Sequence, residues 1–170
     1  MANSNVGVRD LAVLGFNKGL RSKFPLEGWV HALLFDKYGN LKDERHQKNA
    51  VTVLGDALVA DAMSDRGVAL PTHMAVGTAT GGKSTASTTL ETELARVALD
   101  STTQGTGASD NDVVWVATFP AGTGTGALVE AGVFNDASAG TMMTYTDFSV
   151  INKGASDSLV ITWTLTCGAS

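Results

Sequence analysis

Residues 158–166 read Ser-Leu-Val-Ile-Thr-Trp-Thr-Leu-Thr, and Leu159, Ile161, Trp163 and Leu165 alternate there with Val160, Thr162, Thr164 and Thr166. A period of two, with large apolar residues on one side and threonine on the other, predicts a strand with one face in a core. Similar short runs recur upstream: 73–77 (HMAVG), 94–99 (LARVAL), 113–119 (VVWVATF), 127–134 (ALVEAGVF) and 141–150 (TMMTYTDFSV). The joints between them, such as GTATGGKSTAST, PAGTGTG and NKGASD, consist of small and turn-forming residues. Runs of this length at this spacing point to packed antiparallel strands.

The first third of the chain reads differently. Residues 29–35 (WVHALLF) predict a strand that is apolar on both faces. DKYGN (36–40) predicts a turn, and the polar LKDERHQK (41–48) predicts a returning edge strand guarded by charge. Residues 50–63 predict the one helix, with Val51, Leu54, Leu58, Val59, Ala62 and Met63 on one stripe. Asn49 is the expected N-cap and Gly67 the expected stop. Residues 1–28 read as an arm, because Gly7, Gly15 and Gly19 interrupt their apolar pattern and Pro25 and Gly28 close it. The expected fold is mostly β: an antiparallel β-sandwich or jelly-roll-like barrel of about eight strands, with the helix at 50–63. Residues 29–170 would form a single domain behind the arm.

Composition fits one such domain, with 170 residues, 44% apolar, 17% charged and 19 glycines. The net charge of −5 is unevenly spread. Residues 1–28 carry Arg9, Lys18, Arg21 and Lys23 against Asp10 and Glu27, a net +2, and the remainder carries −7. An acidic body argues against nucleic acid as the partner, since phosphate binding needs a basic surface. Cys167 is the only cysteine, so no intrachain disulfide forms, which fits a reducing cytoplasm. No apolar run is long enough to span a membrane, and MANSNVGVRD lacks the pattern of a secretory signal.

Several motifs suggest chemistry. Gly77-Thr-Ala-Thr-Gly-Gly82-Lys83-Ser84 satisfies the phosphate-loop pattern letter for letter. A phosphate loop must open a helix, however, and Thr85-Ala-Ser-Thr-Thr89 opens one poorly, so a surface loop is expected. Gly122-Thr-Gly124-Thr-Gly126 reads as a hairpin loop. His31, His46 and His73 have no metal-site spacing; His31 is expected in the core and His46 in solvent. Cys167 lacks an activating neighbour in sequence. Glu130 shares a predicted strand face with Leu128, Gly132 and Phe134, and its expected role is a structural hydrogen bond to a loop or a neighbouring subunit. Nothing pairs it with Asp36 as a glycosidase couple. Trp29, Trp115 and Trp163 lie in apolar strands and are expected in the core; exposed, they would suit a carbohydrate-binding module. No enzyme activity, cofactor, metal or small-molecule substrate is expected.

Four segments occur in order between Met74 and Thr166: MAVGTATGG from Met74, TTLETELARVAL at Thr88–Leu99, TFPAGTGTGALVEAGVFN at Thr118–Asn135, and DFSVINKGASDSLVITWTLT at Asp147–Thr166. Together they resemble a class of tailed-phage virion proteins, and QKNAVTVLGDALVADAM (47–63) resembles what precedes them there. The resemblance implies a non-catalytic β-sandwich of the virion, made in the bacterial host cytoplasm. The expected role is a capsid decoration subunit on the major capsid protein, acting as a homo-oligomer. A tail component, meaning a fibre-attachment, adaptor or baseplate subunit, is the alternative. The expected partner-binding residues lie in the arm: Arg9, Leu11, Phe16, Lys18, Leu20, Arg21, Lys23 and Phe24.

Overall fold

The computed structural model describes residues 25–168 apart from 80 and 83. The eight expected arm contacts, from Arg9 to Phe24, therefore lie outside the described residues, as does Lys83.

Among the described residues ten strands form two five-stranded antiparallel sheets. The first sheet has the order β2-β1-β10-β7-β6, built from β1 (Leu26–Phe35), β2 (Leu41–Lys48), β6 (Ser101–Gln104), β7 (Asp112–Phe119) and β10 (Ser158–Cys167). The second has the order β3-β9-β8-β4-β5, built from β3 (Ala50–Val51), β4 (His73–Gly77), β5 (Glu93–Ala98), β8 (Gly126–Phe134) and β9 (Met142–Lys153). The sheets face each other as a sandwich. Val30, Ala32 and Leu34 of β1, Trp115 and Phe119 of β7 and Ile161 and Trp163 of β10 pack into one cluster with Met74 and Val76 of β4, Leu128 and Val133 of β8 and Ile151 of β9. Each large side chain fully buried there stabilises the fold by about 1.5–3 kcal/mol relative to exposure. The alternation in β10 is realised, with Leu159, Ile161, Trp163 and Leu165 buried and the intervening residues half-buried.

The structure departs from the sequence expectations at several points. β1 begins at Leu26, so residues 26–28 belong to the sheet and not to the arm. The face of β1 that carries Trp29, His31, Leu33 and Phe35 points outward; Trp29 is 42% exposed and is not a core residue. The expected helix 50–63 is shorter. Ala50–Val51 pairs with β9 as β3, and α1 spans Val53–Met63. Its N-cap is Thr52, not Asn49, and its C-cap is Ser64, ahead of Gly67. Thr52 wins because its Oγ1 both accepts from Gly55 N (2.9 Å) and donates to the Met142 carbonyl (2.6 Å). The strand count rises from about eight to ten. The additions are β3, only two residues long, and β6 (Ser-Thr-Thr-Gln), an exposed edge strand with no apolar signature.

α1 packs chiefly on β9. Contact is close at Gly55, where any Cβ would collide with the Met143 carbonyl. A residue of poor helix propensity is tolerated because only hydrogen fits there. The helix stripe is only partly covered: Leu58 is buried, but Leu54 and Met63 are exposed.

Candidate functional site: an apolar cleft beside the first described residues

The two ends of the first sheet differ. Near the β1–β2 turn, polar groups seal the structure. Asp36 accepts hydrogen bonds from Asn40 Nδ2 and N (both 2.9 Å) and from Tyr38 N (2.8 Å), and these, the Asn40 side chain first, hold its carboxyl below the usual carboxylate range. Lys42 Nζ donates to Asp157 Oδ2 at 2.6 Å, and Gly154 N donates to the same oxygen at 2.8 Å. These two partners, Lys42 first, hold the Asp157 carboxyl low. Beside it the buried Lys153 ammonium donates to the carbonyls of Asp157 (2.7 Å) and Pro120 (2.9 Å). Burial lowers the Lys153 pKa, and Asp157 partly offsets the effect.

At the other end, α1 leaves an open cleft of about 380 Å³ against the sheet. Leu58, Val59 and Met63 form one wall, Val113, Trp115 and Leu165 the other, and Cys167 and Leu70 also line it. Met63 is 80% and Leu70 58% exposed, so this apolar surface meets solvent. The chain enters beside it. Leu26 pairs with Cys167, and Gly168 N donates to the Pro25 carbonyl at 2.8 Å. Burial and, secondarily, Asp112 raise the Cys167 thiol pKa, the opposite of what a nucleophilic cysteine needs.

A buried carboxylate lies on the outer face of the second sheet. Glu130 is fully buried, and its oxygens accept from Glu91 N and Thr92 N (both 2.9 Å) and from the Tyr145 hydroxyl (3.2 Å). The expected loop hydrogen bond is present. Burial first, and then the Glu130 charge, push the Tyr145 pKa above the ordinary tyrosine value, so the phenol keeps its proton and donates. The expected neighbours need one correction. A register shift between Leu128 and Glu130 turns Leu128 into the sandwich core, whereas Phe134 joins Tyr145, Ala75, Met142 and Leu90 on the outer face. The segment before β5 thus lies over that face, anchored by Leu90 and by Glu130.

Gly77, the first glycine of the phosphate-loop pattern, lies opposite Glu130 in the β4–β8 register. A Cβ there would strike Glu130 Oε1 and the Thr92 carbonyl. Packing of this latch explains the glycine, and no helix follows it among the described residues of 78–92. The expected hairpin at Gly122–Gly126 is not formed: β7 lies in the first sheet and β8 in the second, so this loop carries the chain from one sheet to the other, with Gly124 close against Val76 and Phe119. Arg96 makes a third brace. It pairs with Glu93 (2.6 Å), donates to the Asp136 and Ala139 carbonyls (2.9 and 2.8 Å), and stands 3.7 Å from the centroid of Phe134.

Asp36 lies at the β1–β2 turn of the first sheet and Glu130 in the second, each with its own partners, so the structure does not join them as a catalytic pair. His31 sits on the outward face of β1, where it contacts Glu44 at 2.6 Å and the His46 ring edge-on. His46 stacks on Trp29 with centroids 4.9 Å apart, and Lys48 Nζ lies 5.1 Å from the Trp29 centroid. Trp115 and Trp163 are buried. No group of three metal-ligating side chains occurs among the described residues. No helix among them is long and apolar enough to cross a membrane. Comparison with protein-family models, curated proteins and solved structures finds no match to this chain.

Proposed function

We propose that this chain is a structural protein of a tailed-bacteriophage particle, made in the bacterial host cytoplasm and carried in the virion as a capsid decoration subunit. On this reading the sandwich stands on the shell as part of a homo-oligomer. The arm, through Arg9, Leu11, Phe16, Lys18, Leu20, Arg21, Lys23 and Phe24, attaches it to the major capsid protein or to a neighbouring copy.

The observation that carries the reading is where the buried and half-buried charges go. Glu130 latches the segment before β5 to the second sheet, Arg96 holds the 136–139 turn, and Lys153 with Asp157 ties the β9–β10 turn to Pro120. Arg45 bridges the sheets by donating from β2 to the carbonyls of Ser149 (3.0 Å) and Val150 (2.8 Å) in β9. Each charged group fixes a turn or joins two layers, as befits a body that must keep its shape while its surface binds. The segments that carry the phage resemblance fall on β4, β5, β7–β8 and β9–β10, so they coincide with the walls of this one sandwich.

Labelled antibodies against the chain, applied to intact particles of the phage that encodes it, test the placement. Signal over the shell is expected. Signal confined to the tail would replace this reading with that of a tail adaptor, and unlabelled particles would remove both. Reversing the arm charge (Arg9→Glu with Lys18→Glu) in the full chain should weaken particle binding without shifting Tm.

A further inference from the structure

We propose that the free edge of β6 pairs with the same edge of a second copy, so that the first sheets of two chains join antiparallel across a two-fold axis. The starting point is a row of backbone groups with no partner among the described residues. β6 ends the first sheet, is exposed throughout and pairs only with β7. An edge of this kind is a template for another strand. The ladder tells which groups are free. Gln104 stands opposite Val113, so Gly105 stands opposite Asp112, and Gly105 N donates to the Asp112 carbonyl at 2.9 Å. Alternation along an antiparallel pair then turns Thr103 and Ser101 toward β7 and leaves the N–H and C=O of Thr102 and Gln104 pointing out of the sheet.

Two observations name a second copy as the occupant. The first is charge. The other edges are guarded: β2 carries Lys42, Asp43, Glu44, Arg45 and Lys48, β5 carries the ion-paired Glu93 and Arg96, and β3 is only two residues long. β6 reads Ser-Thr-Thr-Gln and has no charge, so it can meet itself without repulsion although the body of the chain is acidic. The second is self-complementarity. An axis at Thr103 sets Thr102 opposite Gln104 of the second copy, where each N–H meets the other's C=O, and the exchange repeats on the far side of the axis. Thr103 then faces its own counterpart in a close, non-hydrogen-bonded pair, which suits threonine. Asp100 falls opposite Thr106, so no like charges are juxtaposed beyond the strand ends either.

The pairing deepens the homo-oligomer of the proposed function and rests on that reading for its setting: it names the surface through which two copies meet. One sheet would run through both copies, and the two sandwiches would present their outer faces to the same side.

Disulfide trapping tests the register in the full chain. Thr103→Cys and, separately, Thr102→Cys are made together with Cys167→Ser, so that each protein carries one thiol. The axis brings the two Cα atoms at position 103 to about 4.5 Å, within the span of a disulfide, whereas those at position 102 stand two residues out of register and more than about 7 Å apart. After mild oxidation, covalent dimer from Thr103→Cys should exceed that from Thr102→Cys about tenfold. Adding Thr102→Pro to Thr103→Cys removes an outward N–H without removing a bond to β7, and should lower the yield to the Thr102→Cys level. No covalent dimer from Thr103→Cys would overturn the proposal. Equal yields at the two positions, the mark of random collision, would overturn it too, and so would a yield that the proline leaves undiminished in a folded protein. The comparison of positions 102 and 103 decides even if the proline variant folds poorly. The assay uses the isolated chain, so its failure would leave the particle assignment untouched.

Discussion

Glu130 Oε1 accepts a hydrogen bond from Thr92 N at 2.9 Å, joining the middle of β8 to a residue 38 positions earlier in the chain. With Glu91 N on the other oxygen, this bond closes the segment before β5 over the outer face of the second sheet. The carboxylate is fully buried and satisfied by two backbone amides and one phenol.

Removing the acceptor strands those donors. Glu130→Ala should destabilise the protein by about 2–4 kcal/mol, because buried donors lose a charged partner. Tyr145→Phe removes only one of the three bonds and should cost about 1 kcal/mol. Urea denaturation of both single variants and the double variant checks this. A double variant less destabilised than the sum of the singles is expected, since the two side chains share one bond.

Gly77→Ala tests whether the phosphate-loop pattern serves packing. The new methyl would strike both Glu130 and the Thr92 carbonyl, and the backbone oxygen cannot swing away. A loss of at least about 2 kcal/mol is expected. Magnesium with ATP or GTP should leave the parent Tm unchanged; a rise that Lys83→Ala abolishes would restore the nucleotide reading.

These two sites mark how far the sequence could be read. The period-two runs located β4, β5, β7, β8, β9 and β10 to within a few residues, because each carries at least some large apolar residues on one face. β6 escaped because Ser101–Gln104 is an edge strand exposed throughout, held by its backbone pairing with β7. Trp29 was misplaced because β1 is apolar on both sides, and only the sheet partners decide which side is the core. The carboxylate role of Glu130 was legible; its separation from Leu128 was not, because a bulge leaves no mark in composition. The cleft was hidden for a related reason. The helix stripe reads as buried, but α1 packs on β9 through Leu58 and Gly55 and leaves Met63 outside.

Asp157 makes stability depend on acid pH. Its folded pKa lies below the unfolded carboxylate value, so its contribution is fully present above about pH 4 and is lost as pH falls through the folded value. Asp157→Asn should remove that part of the acid sensitivity and lower Tm at neutral pH. Tm followed from pH 7 to about pH 2 in both proteins checks the sign. The curves should converge toward the acid end; a constant gap would show that the Lys42–Asp157 pair adds nothing that titrates.

In the role proposed for it, a capsid decoration subunit, this chain would bind the outer shell and stabilise capsomer contacts. Its copy number per purified particle, measured by quantitative mass spectrometry against the major capsid protein, tests that most directly. The account predicts a number of the same order as the shell protein itself. A handful of copies, matching the symmetry of the tail, would contradict the decoration role, and absence from the particle would contradict the virion assignment.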